Sequence, residues 1–160
     1  MTRLRVVRKT STLSNGTKVV RQKLESAPVL EWRLQSAAVR ALKALPEFDR
    51  EFTLAGDMNS AKRGPQAQIQ AQATGLAPGD PDLRLYLAGG VLKLIEYKGE
   101  RGRLSPAQKD RHALLKRLGF EVVTVQATTE AECAEATIAL VKAWLGGAAN
   151  CNLPNRSSES

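Results

Sequence analysis

The sequence predicts an α/β fold, a small mixed β-sheet flanked by α-helices. Three observations carry it. Leu83, Leu85 and Leu87 alternate with Arg84 and Tyr86, and Ala88-Gly89-Gly90 turns the chain into a return strand, Val91 to Lys98. Period-two alternation around a Gly-Gly turn is the signature of a β-hairpin. Ser105-Pro106-Ala107-Gln108 then opens a helix that runs to Leu118, in the Ser-x-x-Gln capping-box form with proline at the first position. The β-branched run Phe120 to Val125 follows that helix, so a crossover adds it to the hairpin.

The remaining elements follow in chain order. Residues 1–24 carry Arg3, Arg5, Arg8, Lys9, Lys18, Arg21 and Lys23 and no acid. With a turn signal at residues 14–16, this reads as a loosely attached basic arm that adds phosphate contacts. Pro28 to Leu45 predicts a helix, stopped by Pro46, with Leu34, Ala38, Ala41 and Leu45 as its apolar stripe. Phe48 to Leu54 predicts a short strand, and Met58 to Gly64 a polar, basic connection holding Lys62 and Arg63. Residues 65–73 alternate like a strand, but alanine and glutamine are strong helix formers and Gly75 is a natural stop, so a helix is expected. Thr129-x-x-Glu132 caps a last helix, with Ala134, Ile138, Val141 and Leu145 at helical spacing and Trp144 expected in the core. Gly146-Gly147 should close it, leaving residues 147–160 as a disordered tail.

The hairpin carries the chemistry. Glu96 and Lys98 are two apart on one strand and so lie on one face. Asp82 opens the first strand, and antiparallel pairing brings it to the same end as Glu96. Two acids converging beside a lysine suit a hard divalent cation, which takes carboxylates, waters and a substrate phosphate. The lysine can orient the attacking water or stabilise charge on the phosphate. Glu31 borders the stripe of the first helix; it reads either as a carboxylate reaching toward that cation or as an ordinary first-turn acid at the positive helix end. Gln108 lies where its side chain can face the Glu96 strand, although capping alone accounts for it.

The net charge is +8 and the pI about 9.9, which points to a polyanionic partner, nucleic acid first. Between Arg84 and Arg117 there are nine Lys/Arg against three Asp/Glu, so the basic excess surrounds the acids. Arg101, Arg103, Lys109 and Arg111, with Lys62 and Arg63, are the candidate DNA contacts. His112 reads as a surface histidine with a weak claim to a phosphate. A single histidine excludes a His-rich zinc site. Cys133 and Cys151 lack metal-ligand spacing, and no apolar run reaches membrane-span length, so a reduced, cytoplasmic protein with no membrane partner is expected.

Gly79-x-Pro81-Asp82-Leu83, Glu96-x-Lys98, Leu104-Ser105-Pro106-x-Gln108 and Leu118-Gly119-Phe120-x-Val122, in that order, resemble the VRR-Nuc family of the PD-(D/E)xK nuclease superfamily. The resemblance covers roughly residues 28–145, within a domain placed at 25–146. It implies a restriction-endonuclease-like core using Mg²⁺ or Mn²⁺. Asp82 and Glu96 match the metal-binding acids, the Tyr97 carbonyl a main-chain ligand and Lys98 the catalytic lysine. Gln108 matches the glutamine after the hairpin, and Glu31 resembles the acid of the first helix, with Gln35 a weaker match and Asp80 an additional acid. The short chain is similar to stand-alone members encoded by phage or bacteria. Those are similar to Holliday-junction resolvases, which implies branched DNA as partner and a homodimer. The apolar positions of the first helix and of residues 48–54 are the expected dimer surface.

Overall fold

The computed structural model describes residues 4–14, 16–26, 29–57 and 64–151. Ten elements appear in the order β1 (Leu4–Thr12), β2 (Lys18–Ser26), α1 (Glu31–Lys43), β3 (Phe52–Gly56), α2 (Pro65–Ala73), β4 (Leu83–Leu87), β5 (Val91–Gly99), α3 (Pro106–Arg117), β6 (Val122–Ala127) and α4 (Glu130–Cys151). The main sheet has the order β3-β4-β5-β6. β4 runs antiparallel to both β3 and β5, and β6 joins parallel to β5 through α3.

Registers sort the side chains. Leu83 pairs with Ile95 and Gly56, Leu85 with Leu54, and Leu87 with Phe52, while Tyr97 pairs with Val125 and Gly99 with Ala127. Paired residues share a face. That face is the core, filled by Leu83, Leu85, Leu87, Phe52, Ile95, Tyr97, Val125 and Ala127 and covered by Leu34, Ala38 and Leu42 of α1 and Cys133 and Val141 of α4. The opposite face carries Arg84, Glu96 and Lys98, next to α3.

Several expectations change. β1 and β2 form a two-stranded β-ribbon that, among the described residues, pairs only with itself, closed by Leu13–Thr17 with Gly16 at φ +81°. The valine pairs Val6-Val7, toward the open end, and Val19-Val20, near the turn, supply the β-propensity that the arginines and lysines mask. α1 starts at Glu31 rather than Pro28. The third strand starts at Phe52, because residues 47–51 form a turn with Asp49 in the left-handed region (φ 56°), where Asp49 Oδ1 accepts from Thr53 Oγ1. α4 continues through Gly146-Gly147 to Cys151. Neither glycine takes the left-handed conformation that ends a helix, and an interior glycine weakens a helix by only about 1 kcal/mol. The apolar positions expected at a dimer surface, Leu34, Ala38, Leu42 and Phe52, are interior, and Phe48 and Leu54 pack against them. The helix over residues 65–73 and the capped helix α3 stand as expected. No helix of the described residues is long and apolar enough to cross a membrane.

Candidate functional site

The β4–β5 ladder ends at Leu83–Ile95, and one step further Asp82 faces Glu96. Asp82 Oδ2 accepts from the Tyr97 N–H at 2.8 Å. Two bonds fix the Asp82 backbone carbonyl: Gln35 Nε2 of α1 donates to it at 2.6 Å and the Asp57 N–H at 2.9 Å. Gln35, the weaker match in sequence, thus tethers the first helix to the strand that presents Asp82.

The Pro81-Asp82 corner is held from below by Gly79. Its φ is +82°, and a Cβ there would lie 2.6 Å from the Ala107 carbonyl carbon and 2.8 Å from the Gln108 nitrogen. Only glycine meets both demands, so this position seats the start of α3 against the loop before β4. The capping box is complete: Ser105 Oγ accepts from the Gln108 N–H and Gln108 Oε1 accepts from the Ser105 N–H. With its oxygen spent on the cap, Gln108 turns its Nε2 to Glu96 Oε1. Capping and reaching the site are therefore one conformation, not alternatives.

Glu96 is fully buried. Lys98 Nζ lies 2.8 Å from Glu96 Oε1 and 3.2 Å from Glu31 Oε2. Gly102 lets the 99–103 loop close on Glu31, since a Cβ there would stand 2.9 Å from Glu31 Oε1. The first-helix acid thus joins the hairpin centre. The Lys98 ammonium pairs with Glu96 and Glu31, and its charge also acts on Asp82. Burial pushes the Asp82 carboxyl from 3.8 up to about 6, opposed by the Tyr97 N–H and reinforced by Glu96. Burial likewise raises Glu96, against the pull of Lys98. Burial alone would lower Lys98, but Glu96 and Glu31 outweigh it and the ammonium is held charged.

His112 is not at the surface. Its side chain sits on α3 one turn beyond Gln108, with Nε2 3.6 Å from Glu96 Oε2, and burial followed by Lys98 lowers its pKa. Asp80 stands apart from the carboxylate cluster in a clip of its own: Arg111 Nε at 2.5 Å and Arg84 at 2.7 Å, with Asp57 3.0 Å from the same Arg84. The clip ties α3 to β4. Sequence reading missed it because Arg111 and Asp80 are 31 positions apart. Arg101, Arg103 and Lys109 are exposed beside the centre, whereas Arg111 is largely spent on Asp80. Lys62 and Arg63 lie outside the described residues.

The donor set is oxygen-rich, and Glu96 Oε2 is buried without a hydrogen-bond partner. A surplus of buried negative charge with an orphaned oxygen fits a hard divalent cation. Among the described residues no three histidine, cysteine or acidic side chains are already gathered at ligating distances. Asp82, Glu96, Glu31 and the Tyr97 carbonyl are the groups that would hold it, completed by water and a phosphate.

Carboxylates and a lysine at the open end of a mixed sheet, ringed by arginines, are the equipment of a nuclease-type domain acting on DNA. The chain belongs to the VRR-NUC domain family, whose model matches residues 22–129. A solved structure described as a VRR-NUC domain protein is similar with a TM-score of 0.52 at 19% identity, over 74% of this chain and 89% of its own. Another, described as a VRR-NUC domain, has a TM-score of 0.44 at 20% identity, over 70% and 94%. No curated protein matches the chain in sequence.

Proposed function

We propose that this protein is a Mg²⁺- or Mn²⁺-dependent endodeoxyribonuclease that hydrolyses phosphodiesters at branched DNA, acting as a homodimer on four-way junctions. The observation that carries the chemistry is the fully buried Glu96 with its orphaned Oε2, beside Asp82 and Lys98. A bound cation supplies Lewis acidity to the scissile phosphate and lowers the pKa of a coordinated water.

The chain's own groups do the rest. Tyr97 N–H holds one Asp82 oxygen, and the Asp82 carboxyl lies beside that of Glu96. Gln108 and Lys98 hold Glu96 Oε1 and leave Oε2 free. Lys98, kept protonated by its acids, orients the attacking water or donates to a phosphate oxygen. Arg101, Arg103 and Lys109 grip the backbone of the DNA without reading sequence, and Lys9 and Arg21, paired across the β-ribbon, extend that grip.

A two-fold substrate suits a two-fold protein. Leu30 and Trp32, 55% and 59% exposed at the site end of α1, supply apolar surface for a second copy. The test is cleavage of end-labelled four-way junction, 5′-flap and linear duplex with Mg²⁺ and with Mn²⁺, beside Asp82→Ala. Paired symmetric nicks in the junction are expected. Cutting confined to flaps or ends would replace the resolvase with a monomeric end-processing nuclease. Tight binding with no cutting would make the chain a non-catalytic DNA-binding protein.

A further inference from the structure

Two buried atoms of the centre lack a hydrogen-bond partner, and they face each other. They are Glu96 Oε2 and His112 Nε2, 3.6 Å apart. At that separation the pair does not hydrogen-bond. A buried polar atom left unpaired costs about 1–3 kcal/mol. Two facing orphans therefore mark the place of a third atom that both would share. A cation about 2.1–2.2 Å from each would hold them about 3.0–3.6 Å apart.

The fold delivers His112 to that place deliberately. The Ser105 cap sets the start of α3, and Gln108 then clamps Glu96 Oε1. One turn later the same helix presents the imidazole to Oε2. The Arg111–Asp80 pair holds that turn against β4. The Glu96 carboxyl thus meets a nitrogen donor from α3 at Oε2 and lies beside the Asp82 carboxyl.

We propose that His112 Nε2 is a protein ligand of the cation held by Glu96 and Asp82, giving the centre a nitrogen donor that favours Mn²⁺ over Mg²⁺. The inference rests on the metal-dependent reading above. Mg²⁺ is selected by all-oxygen shells, whereas imidazole suits transition metals.

His112 is the single histidine of the chain, so any imidazole nitrogen coupled to bound Mn²⁺ in an untagged protein comes from it. The experiment is titration of the untagged full-length chain with Mn²⁺ chloride, read by continuous-wave EPR for occupancy and pulsed EPR for ¹⁴N coupling. Mg²⁺ affinity is measured by competition. The wild type should bind Mn²⁺ with imidazole coupling. His112→Ala and His112→Gln should lose the coupling and about 10- to 100-fold in Mn²⁺ affinity, while Mg²⁺ affinity moves less than about threefold. Far-UV circular dichroism equal to wild type in both variants, and the glutamine's similar reach, separate a lost ligand from a lost fold. Stoichiometric Mn²⁺ without imidazole coupling, or unchanged affinity in His112→Ala, would overturn the role of His112 and leave the metal reading standing. No Mn²⁺ binding by the wild type, or binding unaffected by Asp82→Ala and Glu96→Ala, would bring down the metal reading and this inference with it.

Discussion

Replacing Asp82 by asparagine should stabilise the metal-free protein at neutral pH and leave it unchanged in acid. Burial lifts the Asp82 carboxyl from 3.8 to about 6 in the folded chain. Below the unfolded value both states are protonated and the group contributes no difference. As pH rises from about 3 to about 6 the unfolded chain ionises first, so stability falls. Above the folded value the penalty is constant at about 3 kcal/mol. Asparagine carries no charge to bury, and its side-chain oxygen can still accept the Tyr97 N–H. Urea unfolding in EDTA at pH 2.5 and pH 7.5 measures the difference. At pH 7.5 Asp82→Asn should gain about 1–3 kcal/mol, a midpoint shift of about 1 M or more at ordinary slopes. At pH 2.5 the two proteins should coincide. Adding Mg²⁺ at pH 7.5 should stabilise the wild type more than the variant, because the variant loses one of the carboxylates that would hold the cation. A variant less stable than wild type at pH 7.5, or offset equally at both pH values, would refute the claim that these carboxylates are held at an electrostatic cost.

Three further outcomes are expected. Ser105→Ala removes the α3 cap and should cost about 1 kcal/mol in denaturation with cleavage retained, whereas Gln108→Ala also strips the donor from Glu96 Oε1 and should lower kcat at similar stability cost; equal kcat in the two would detach Gln108 from the site. Asp80→Asn discharges the clip between Arg84 and Arg111 and should destabilise by about 1–3 kcal/mol, and a neutral result in thermal unfolding would deny the clip its role in seating α3. Junction binding should weaken with salt with a log–log slope of about −0.9 per phosphate contacted, and Arg101→Ala with Arg103→Ala should flatten the slope by about 2; an unchanged slope would place the DNA elsewhere.

The central hairpin was legible because its information is local. Alternating leucines, a Gly-Gly turn and a Glu-x-Lys spacing fix faces without any long-range knowledge. The α3 cap was legible for the same reason. The β-ribbon was not, because its basic composition conceals its two valine pairs. The first-helix stripe was read in part: Leu34 and Ala38 are buried, but the buried set continues at Ala37 and Leu42, a shift that packing against α4 and the sheet decides. The stripe of α4 was read in part: Val141 is buried and Ile138 and Leu145 pack against the core, but the buried set also takes in Cys133 and Thr137, whose burial their apolarity does not reveal. At the site, Asp82, Glu96 and Lys98 were visible, while Gln35 on the Asp82 carbonyl, the Asp80 clip and the inward turn of His112 depend on contacts between distant parts of the chain. The glycine of the Gly79 motif was visible as a letter, and its reason, the collision with Ala107, was not.

The most direct test is single-turnover cleavage of a labelled four-way junction in Mg²⁺ by the wild type, Lys98→Ala and Glu96→Gln, with junction binding measured on the same preparations. The account predicts that both variants bind within a few-fold of wild type and cut at least about 10²- to 10³-fold more slowly, since each removes a charge aimed at the reacting phosphate or its cation. Cleavage by either variant at the wild-type rate would contradict it.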